Sequence, residues 1–186
     1  MAYRSPESVG SYSQYLELFV RAATGRQSPS RFLDYGASSR IYTNWLSQYG
    51  ECSIYRPVSN PTHGVKDKRQ IKSTTSLGNH SFHGIHLKEG LEQAIDLTMV
   101  FSHVAQLLVE GGVVMTTFRD FSTEEVNHRT RLGLPSLDPV TITRTCHLNG
   151  ISISLEGRWT HSNHFQDSNP HPIMYHVLLG TLTVPA

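Results

Sequence analysis

Between Arg31 and Gly50 the chain places residue types that suit a nucleotide-like ligand. Phe32 and Leu33 read as a short apolar strand ending in Asp34 and Tyr35, and Gly36, Ala37 and Ser38 follow as a turn of small residues. A glycine there lets the backbone approach a ligand closely, and the N–H groups of a following helix can meet its polar atoms. A second strand, "CSIYRPV", ends at Tyr55 and Arg56. The Arg56 guanidinium has only donors, so it cannot accept from a ribose diol, whereas an arginine at such a place can accommodate a 2′-phosphate. Among groups able to take up a proton near neutrality, His86 is the strongest candidate for a general base, with a solvated loop histidine as the bland alternative.

Histidines also raise the question of metal, since the chain holds 11 of them. His80, His83 and His86 recur at three-residue steps, and His161, His164, His171 and His176 gather later. Three-residue steps share a face on a helix, but "NHSFHGIHL" contains Gly84 and reads as loop or strand, where such steps alternate faces. No thiolate accompanies them and carboxylates are sparse nearby, so the expectation is hydrogen-bonded or solvated histidines and no metal site.

The elements that must position these groups follow from periodicity. Tyr12, Tyr15, Leu16, Phe19, Val20 and Ala23 lie at helical spacing, with Gly25 as a stop. After the first strand, Ser38 or Ser39 can cap a helix with Ile41, Trp45 and Leu46 as its apolar stripe and Gly50 as its C′ residue. Strand, helix and strand in about thirty residues form a right-handed βαβ unit with parallel strands. "RQIKSTTSL" and "SFHGIHL" are weaker strands. Leu91 to Leu108 reads as a helix apolar on most sides, ended by Gly111 and Gly112, and "VVMTTF" follows as a central parallel strand. For Asp138 to Gly150 two readings stand. One is a hairpin turning at Asn149-Gly150. The preferred one is a helix with Asp138 as N-cap, Pro139 first and Gly150 after the last turn, against which the β-branched run Val140 to Thr143 argues. "ISISLEGRW" and "IMYHVLLGTLTV" close the sheet.

With this order of elements the chain resembles the class I S-adenosylmethionine-dependent methyltransferases. Four places carry the likeness: "FLDYGASSR" as the first-strand signature, "CSIYRPV" as the end of the second strand, "LLVEGGVVMTTF" as the late helix, Gly-Gly turn and fifth strand, and "DPVTITRTCHLNGISISLEGRW" as the last helix and sixth strand. The family usually has further glycines where this chain has Ala37, Ser38 and Ser39, and an acidic ribose-binding residue where it has Arg56. The resemblance implies a Rossmann-like three-layer α/β sandwich, mostly parallel, with an antiparallel final strand. It also implies S-adenosylmethionine as cofactor, held by Asp34, Tyr35, Gly36, Ala37, Ser38, Tyr55 and Arg56, with His86 as catalytic base.

Size and charge are compatible with that implication. The 186 residues suit one domain, with residues 1–25 as an N-terminal helical segment packed on it. A net charge of +1 with 17% charged residues makes no strong field for phosphate backbones. The apolar stretch Ile95 to Val109 is broken by Asp96, Ser102, His103 and Gln106, so no membrane span is expected. Cys52 and Cys146 are too few for a disulfide framework and no charged-then-apolar leader opens the chain, so a cytoplasmic setting is expected. The acceptor of the methyl group, whether small molecule, protein or RNA, is not readable. Two other functions remain open at this point: a catalytically inactive module of the same fold that binds a protein partner, and an NADP-binding oxidoreductase.

Overall fold

The computed structural model describes residues 11–25, 29–36, 41–55, 70–71, 78–88, 91–92, 94–161 and 173–183. Its elements in chain order are α1 (Tyr12–Thr24), β1 (Ser30–Tyr35), α2 (Ile41–Leu46), β2 (Gly50–Tyr55), β3 (Gln70–Ile71), β4 (Phe82–Lys88), α3 (Leu97–Leu107), β5 (Leu108–Arg119), α4 (Thr123–Arg131), α5 (Pro139–Leu148), β6 (Ile151–His161) and β7 (Ile173–Leu182). The strands form a seven-stranded sheet in the order β3-β2-β1-β4-β5-β7-β6. The five strands from β3 to β5 run parallel, and β7 lies antiparallel between β5 and β6. This is the Rossmann-like, mostly parallel sandwich expected from the sequence.

Alternation along the strands divides the core in two. Phe32, Val113, Met115, Val177 and Leu179 face a layer made by Tyr15, Leu16, Phe19 and Val20 of α1 and Leu46 of α2. On the other face Leu33, Ile85, Leu87, Val114 and Phe118 pack against Phe101 and Val104 of α3 and Ile142 and Cys146 of α5. The first face matters most for function, because two strand glycines let α1 sit low on it. A Cβ at Gly84 would lie 2.8 Å from Phe32 Cδ1 and 2.9 Å from Phe19 Cζ. One at Gly157 would run into the Tyr15 ring. The Ser11 side chain accepts from the Gln14 N–H while the Gln14 amide accepts from the Ser11 N–H, a capping box that fixes Tyr12 as the first helical residue.

Several local expectations change. Ile41 is 70% exposed, and α2 buries Thr43 and Leu46 instead, because the six-residue helix meets the sheet through that side. Gly50 opens β2 rather than ending a helix, pairing with Ser30. The long apolar helix is shorter and more one-sided than its composition suggests: Asp96 caps it, Ile95 and Met99 face outward, and β5 begins at Leu108, with Gly111 inside the strand. Helix α4 has no apolar stripe to announce it, although Ser122 and Glu125 form a second capping box. Arg129 anchors it by donating to the Glu92 carbonyl at 2.9 Å and the Pro135 carbonyl at 3.3 Å. The helix reading of Asp138 to Gly150 holds: Asp138 accepts from Thr141 N–H, and Gly150 has φ 72°, a conformation that favours glycine.

Gly84→Ala should lower the unfolding free energy by about 1–3 kcal/mol, since the added methyl must displace two buried rings. Urea denaturation reads this directly; an unchanged midpoint would mean that α1 is not seated as closely as described.

Candidate functional site

In an open parallel sheet, ligands bind beyond the C-terminal strand ends, where the order of connections reverses. Here that reversal lies between β1 and β4, and the rim carries Gly36 after β1, Tyr55 at the end of β2, Lys88 at the end of β4 and Arg119 at the end of β5. Gly36 has φ 79°, and its N–H donates to the Tyr55 carbonyl at 2.7 Å. The turn is therefore tied to the neighbouring strand in a backbone conformation that a side chain would strain. Ala37, Ser38 and Arg56, the other turn and rim residues singled out in the sequence, lie outside the described residues.

Just beneath the rim is a buried polar chain. In the parallel register Asp34 is the partner of His86, so their side chains leave the sheet on one face side by side. His86 Nδ1 is 3.0 Å from Asp34 Oδ1, and the Thr43 hydroxyl donates to Asp34 Oδ2 at 2.7 Å. On the far side His86 Nε2 is 2.5 Å from the Tyr12 hydroxyl. A carboxylate only accepts, so Nδ1 carries a proton toward Asp34, and in a neutral ring Nε2 accepts from the Tyr12 hydroxyl. The chain reads Thr43–Asp34–His86–Tyr12, and it joins α2, β1, β4 and α1. Asp34 and His86 were expected at the ligand's edge; they are 1% and 0% exposed, and each is fully engaged within the protein.

Aromatic rings frame the outer end of this chain. Tyr12 lies 4.7 Å from Trp159 and 5.1 Å from Tyr42 between ring centroids, and Trp159 stacks on Tyr175 at 4.7 Å with 17° between planes. Lys88 donates to the Tyr42 hydroxyl at 3.0 Å and holds its ammonium 4.2 Å from the Tyr42 ring and 5.4 Å from the Tyr12 ring. Such contacts show that these π-faces accept a cation at this spot. Tyr12, Thr43 and Lys88 were not identified from sequence. Tyr12 sits in a helical pattern where it reads as a packing residue, Thr43 lies outside the apolar stripe read for its helix, and only a pairing of β1 with β4 reveals what they touch.

The opposite face of the same strands carries a different group. Tyr35, 5% exposed, meets Tyr55 at 4.8 Å and His103 at 5.7 Å between centroids, and its hydroxyl is 3.3 Å from His103 Nδ1. Burial, with Tyr55 adding to it, lifts the Tyr35 phenol well above its ordinary value; burial also raises Tyr55 and lowers His103. This cluster is therefore neutral at pH 7 and offers ring surface rather than acid–base chemistry. His176, stacked on Phe118 at 5.2 Å, is likewise lowered, first by burial and then by Arg158, against the opposing pull of Asp120 and Glu156. Thr117 and Phe118 at the end of β5 are buried, and Arg119 pairs with Glu125 at 2.8 Å. Burial pushes the Cys146 thiol up to about 12, which leaves it inert.

The histidines at three-residue steps have separate partners. His80 Nδ1 lies 2.9 Å from the Leu108 carbonyl, His83 Nδ1 accepts from the Arg31 N–H at 3.0 Å, and His86 belongs to the buried chain. Among the described residues no three His, Cys, Asp or Glu side chains are grouped to hold a metal ion. Among the same residues no helix is long and apolar enough to cross a membrane.

No family model matches the chain, and no curated protein matches it in sequence. Solved structures do match in fold. A S-adenosylmethionine-dependent methyltransferase from Methanosarcina mazei superposes with a TM-score of 0.65 at 11% identity, over 95% of this chain and 100% of that one. Geranyl diphosphate methyltransferase, solved with S-adenosylmethionine, gives 0.64 at 11% identity over 92% and 85%. A phosphoethanolamine N-methyltransferase from Haemonchus contortus, solved with phosphomonomethylethanolamine and S-adenosylhomocysteine, gives 0.59 at 12% identity over 95% and 54%. The architecture is thus that of the class I S-adenosylmethionine-dependent methyltransferases.

Two measurements follow from the buried groups. Thr43→Val removes the donor to Asp34 at nearly constant volume and should cost about 1.5–3 kcal/mol in urea unfolding; a cost below about 0.5 kcal/mol would remove Thr43 from the chain. His103 and His176 are depressed in the folded state, so the unfolded chain takes up protons first on acidification. Stability should therefore fall as pH drops from about 7 through 6 to 5, and His103→Leu should make that fall shallower in a melting-temperature series.

Proposed function

We propose that the chain is a S-adenosylmethionine-dependent methyltransferase with its cofactor across the rim from Gly36 to Tyr55. The observation that supports this reading is the left-handed Gly36 turn, bonded to the Tyr55 carbonyl at the end of β1, the strand that borders the reversal. A glycine there fits the cofactor by letting the backbone approach a nucleoside closely, and the Tyr12, Tyr42 and Trp159 rings offer apolar surface nearby, the first two already against the Lys88 ammonium. When bound, the cofactor supplies an electrophilic methyl group on a sulfonium sulfur.

The chain's own residues would do the rest. Gly36 and Tyr55 hold the turn open through their backbones; Ala37, Ser38 and Arg56, which the sequence resemblance adds to this set, lie outside the described residues. Asp34 and Tyr35 act from below, Asp34 by bracing His86 and Thr43 on one face and Tyr35 by packing on Tyr55 and His103 on the other. The acceptor is a small molecule, a protein or an RNA, admitted beside the aromatic rings. Two free cysteines suit work in the cytoplasm.

A second reading, an inactive domain of the same fold that binds a protein partner, draws support from the complete internal engagement of Asp34 and His86. Ligand-dependent melting separates the two. S-adenosylhomocysteine at millimolar concentration should raise the melting temperature of the wild type; at 100 times the dissociation constant the linkage is worth about 2.7 kcal/mol. Gly36→Val, which strains the turn, should abolish the rise. No rise and no calorimetric heat in the wild type favours the inactive module, and a rise with NADPH alone favours the oxidoreductase.

A further inference from the structure

We propose that α4 is a lid over the β4–β5 part of the rim, latched by Arg129 and able to open while the rest of the domain stays folded. The proposal rests on the methyltransferase reading for what the lid covers, and adds to it a way in for the acceptor. Ligands of such a sheet bind beyond the C-terminal strand ends, and α4 lies there. It begins four residues after β5 ends, and its anchor reaches Glu92, four residues after the end of β4. Arg119, which pairs with Glu125 of α4 at 2.8 Å, is the register partner of Tyr175, the ring stacked on Trp159. The helix therefore borders the aromatic rings beside which the acceptor is admitted.

What makes α4 a helix is held within it. Ser122 and Glu125 form the capping box at its start. At its end the Gly133 N–H donates to the Thr130 carbonyl and the Leu134 N–H to the Arg129 carbonyl, each at 3.0 Å, a Schellman closure with Gly133 at φ 68°. What holds it down is different in kind. Arg129 is the one buried residue of the helix, while Val126 is 38% exposed and Leu132, just past its end, 61%. With no apolar stripe to uncover, lifting α4 meets little hydrophobic resistance. Resistance comes instead from the Arg129 guanidinium, seated 4.9 Å from the Phe121 ring and donating to the Glu92 and Pro135 carbonyls. Even this latch is incomplete, because Arg129 Nε is buried and finds no acceptor among the described residues. An unmatched buried donor disfavours the closed state relative to an open one in which water can reach it. Two directional bonds thus define one closed position, and little else opposes its release. Segments of this kind open locally, at free energies well below that of global unfolding. A nine-residue helix is marginal by itself, so an unlatched α4 loses its helical bonds together.

Amide hydrogen exchange on the full chain reads this opening without a known acceptor. The Val126, Leu132, Gly133 and Leu134 amides all donate to carbonyls of α4 or its N-cap. They should share one protection factor to within about threefold, as in a unit that opens whole, and be about 100-fold or more less protected than central amides of β4 and β5. Low urea should leave their exchange unchanged, since the opening exposes little surface. Arg129→Met keeps length and contact with Phe121 but removes the donors, so it should speed α4 exchange about tenfold without affecting β4 and β5. Arg129→Lys, which keeps a charged donor, should restore part of the protection. An arginine that merely supported the whole fold would lower protection in the strands by the same factor. Protection in α4 equal to that of the sheet, protection graded from its ends, or an Arg129→Met effect spread over the whole domain overturns the lid. S-adenosylhomocysteine, with its binding read by calorimetry on the same samples, keeps the two proposals apart. Heat together with about tenfold slower α4 exchange supports both, because a ligand bound under the closed lid must favour closure. Heat with α4 exchange unchanged rejects the lid alone. No heat rejects the methyltransferase reading, and the lid then stands or falls on the Arg129→Met result.

Discussion

A carboxylate and an imidazole that sit side by side with almost no exposure are tolerable only if every polar atom between them is satisfied. Asp34 and His86 meet that condition through Thr43 at one end and Tyr12 at the other. Four elements are bound by this requirement. α2 must present Thr43, β1 and β4 must pair in the register that sets residue 34 beside residue 86, and α1 must lie low enough for Tyr12 to arrive. Loss of any one leaves a buried polar atom without a partner, which costs more than the hydrogen bond contributes. The chain therefore specifies the arrangement of the first half of the fold as much as it stabilises it.

The packing of α1 shows how that condition is met. Gly84 and Gly157 strip the sheet of side chains under Phe19 and Tyr15, so the helix descends onto β4 and β6. The same strand that loses a side chain at residue 84 displays His86 two residues on, on the same face. One strand thus supplies both the room for the helix and the partner for its first residue. The Ser11–Gln14 capping box fixes where the helix begins, and so where the phenol stands.

The two faces of the sheet divide the chemistry. Beyond Asp34 and His86 the first face is lined by rings that already hold a cation, Lys88. The second carries Tyr35, Tyr55 and His103, whose burial keeps them uncharged at neutral pH. Gly36 stands between the two faces, at a rim position where the backbone conformation favours glycine. The fold is matched by solved structures at 11–12% identity, so most side chains differ while the architecture is shared.

Local pattern was enough to read much of this molecule. The α1 stripe, the strand ending in Asp34, the small-residue turn at Gly36, the α5 caps and the βαβ connection are all set by neighbours within a few residues, through caps, periodicity and the conformational needs of glycine. Composition misled where burial depends on a partner far along the chain: Ile41 and Met99 are apolar yet exposed, and α4 exists because Arg129 reaches Glu92 and Pro135 rather than through an apolar stripe of its own. The site divides in the same way. Asp34, Gly36, Tyr55 and His86 could be singled out in one dimension because strand ends and residue types are local properties. That Asp34 and His86 face inward, that Thr43 serves the one and Tyr12 the other, was decided by the β1–β4 register and the seating of α1. Those join residues 52 and 74 positions apart, a relation no short window of sequence contains.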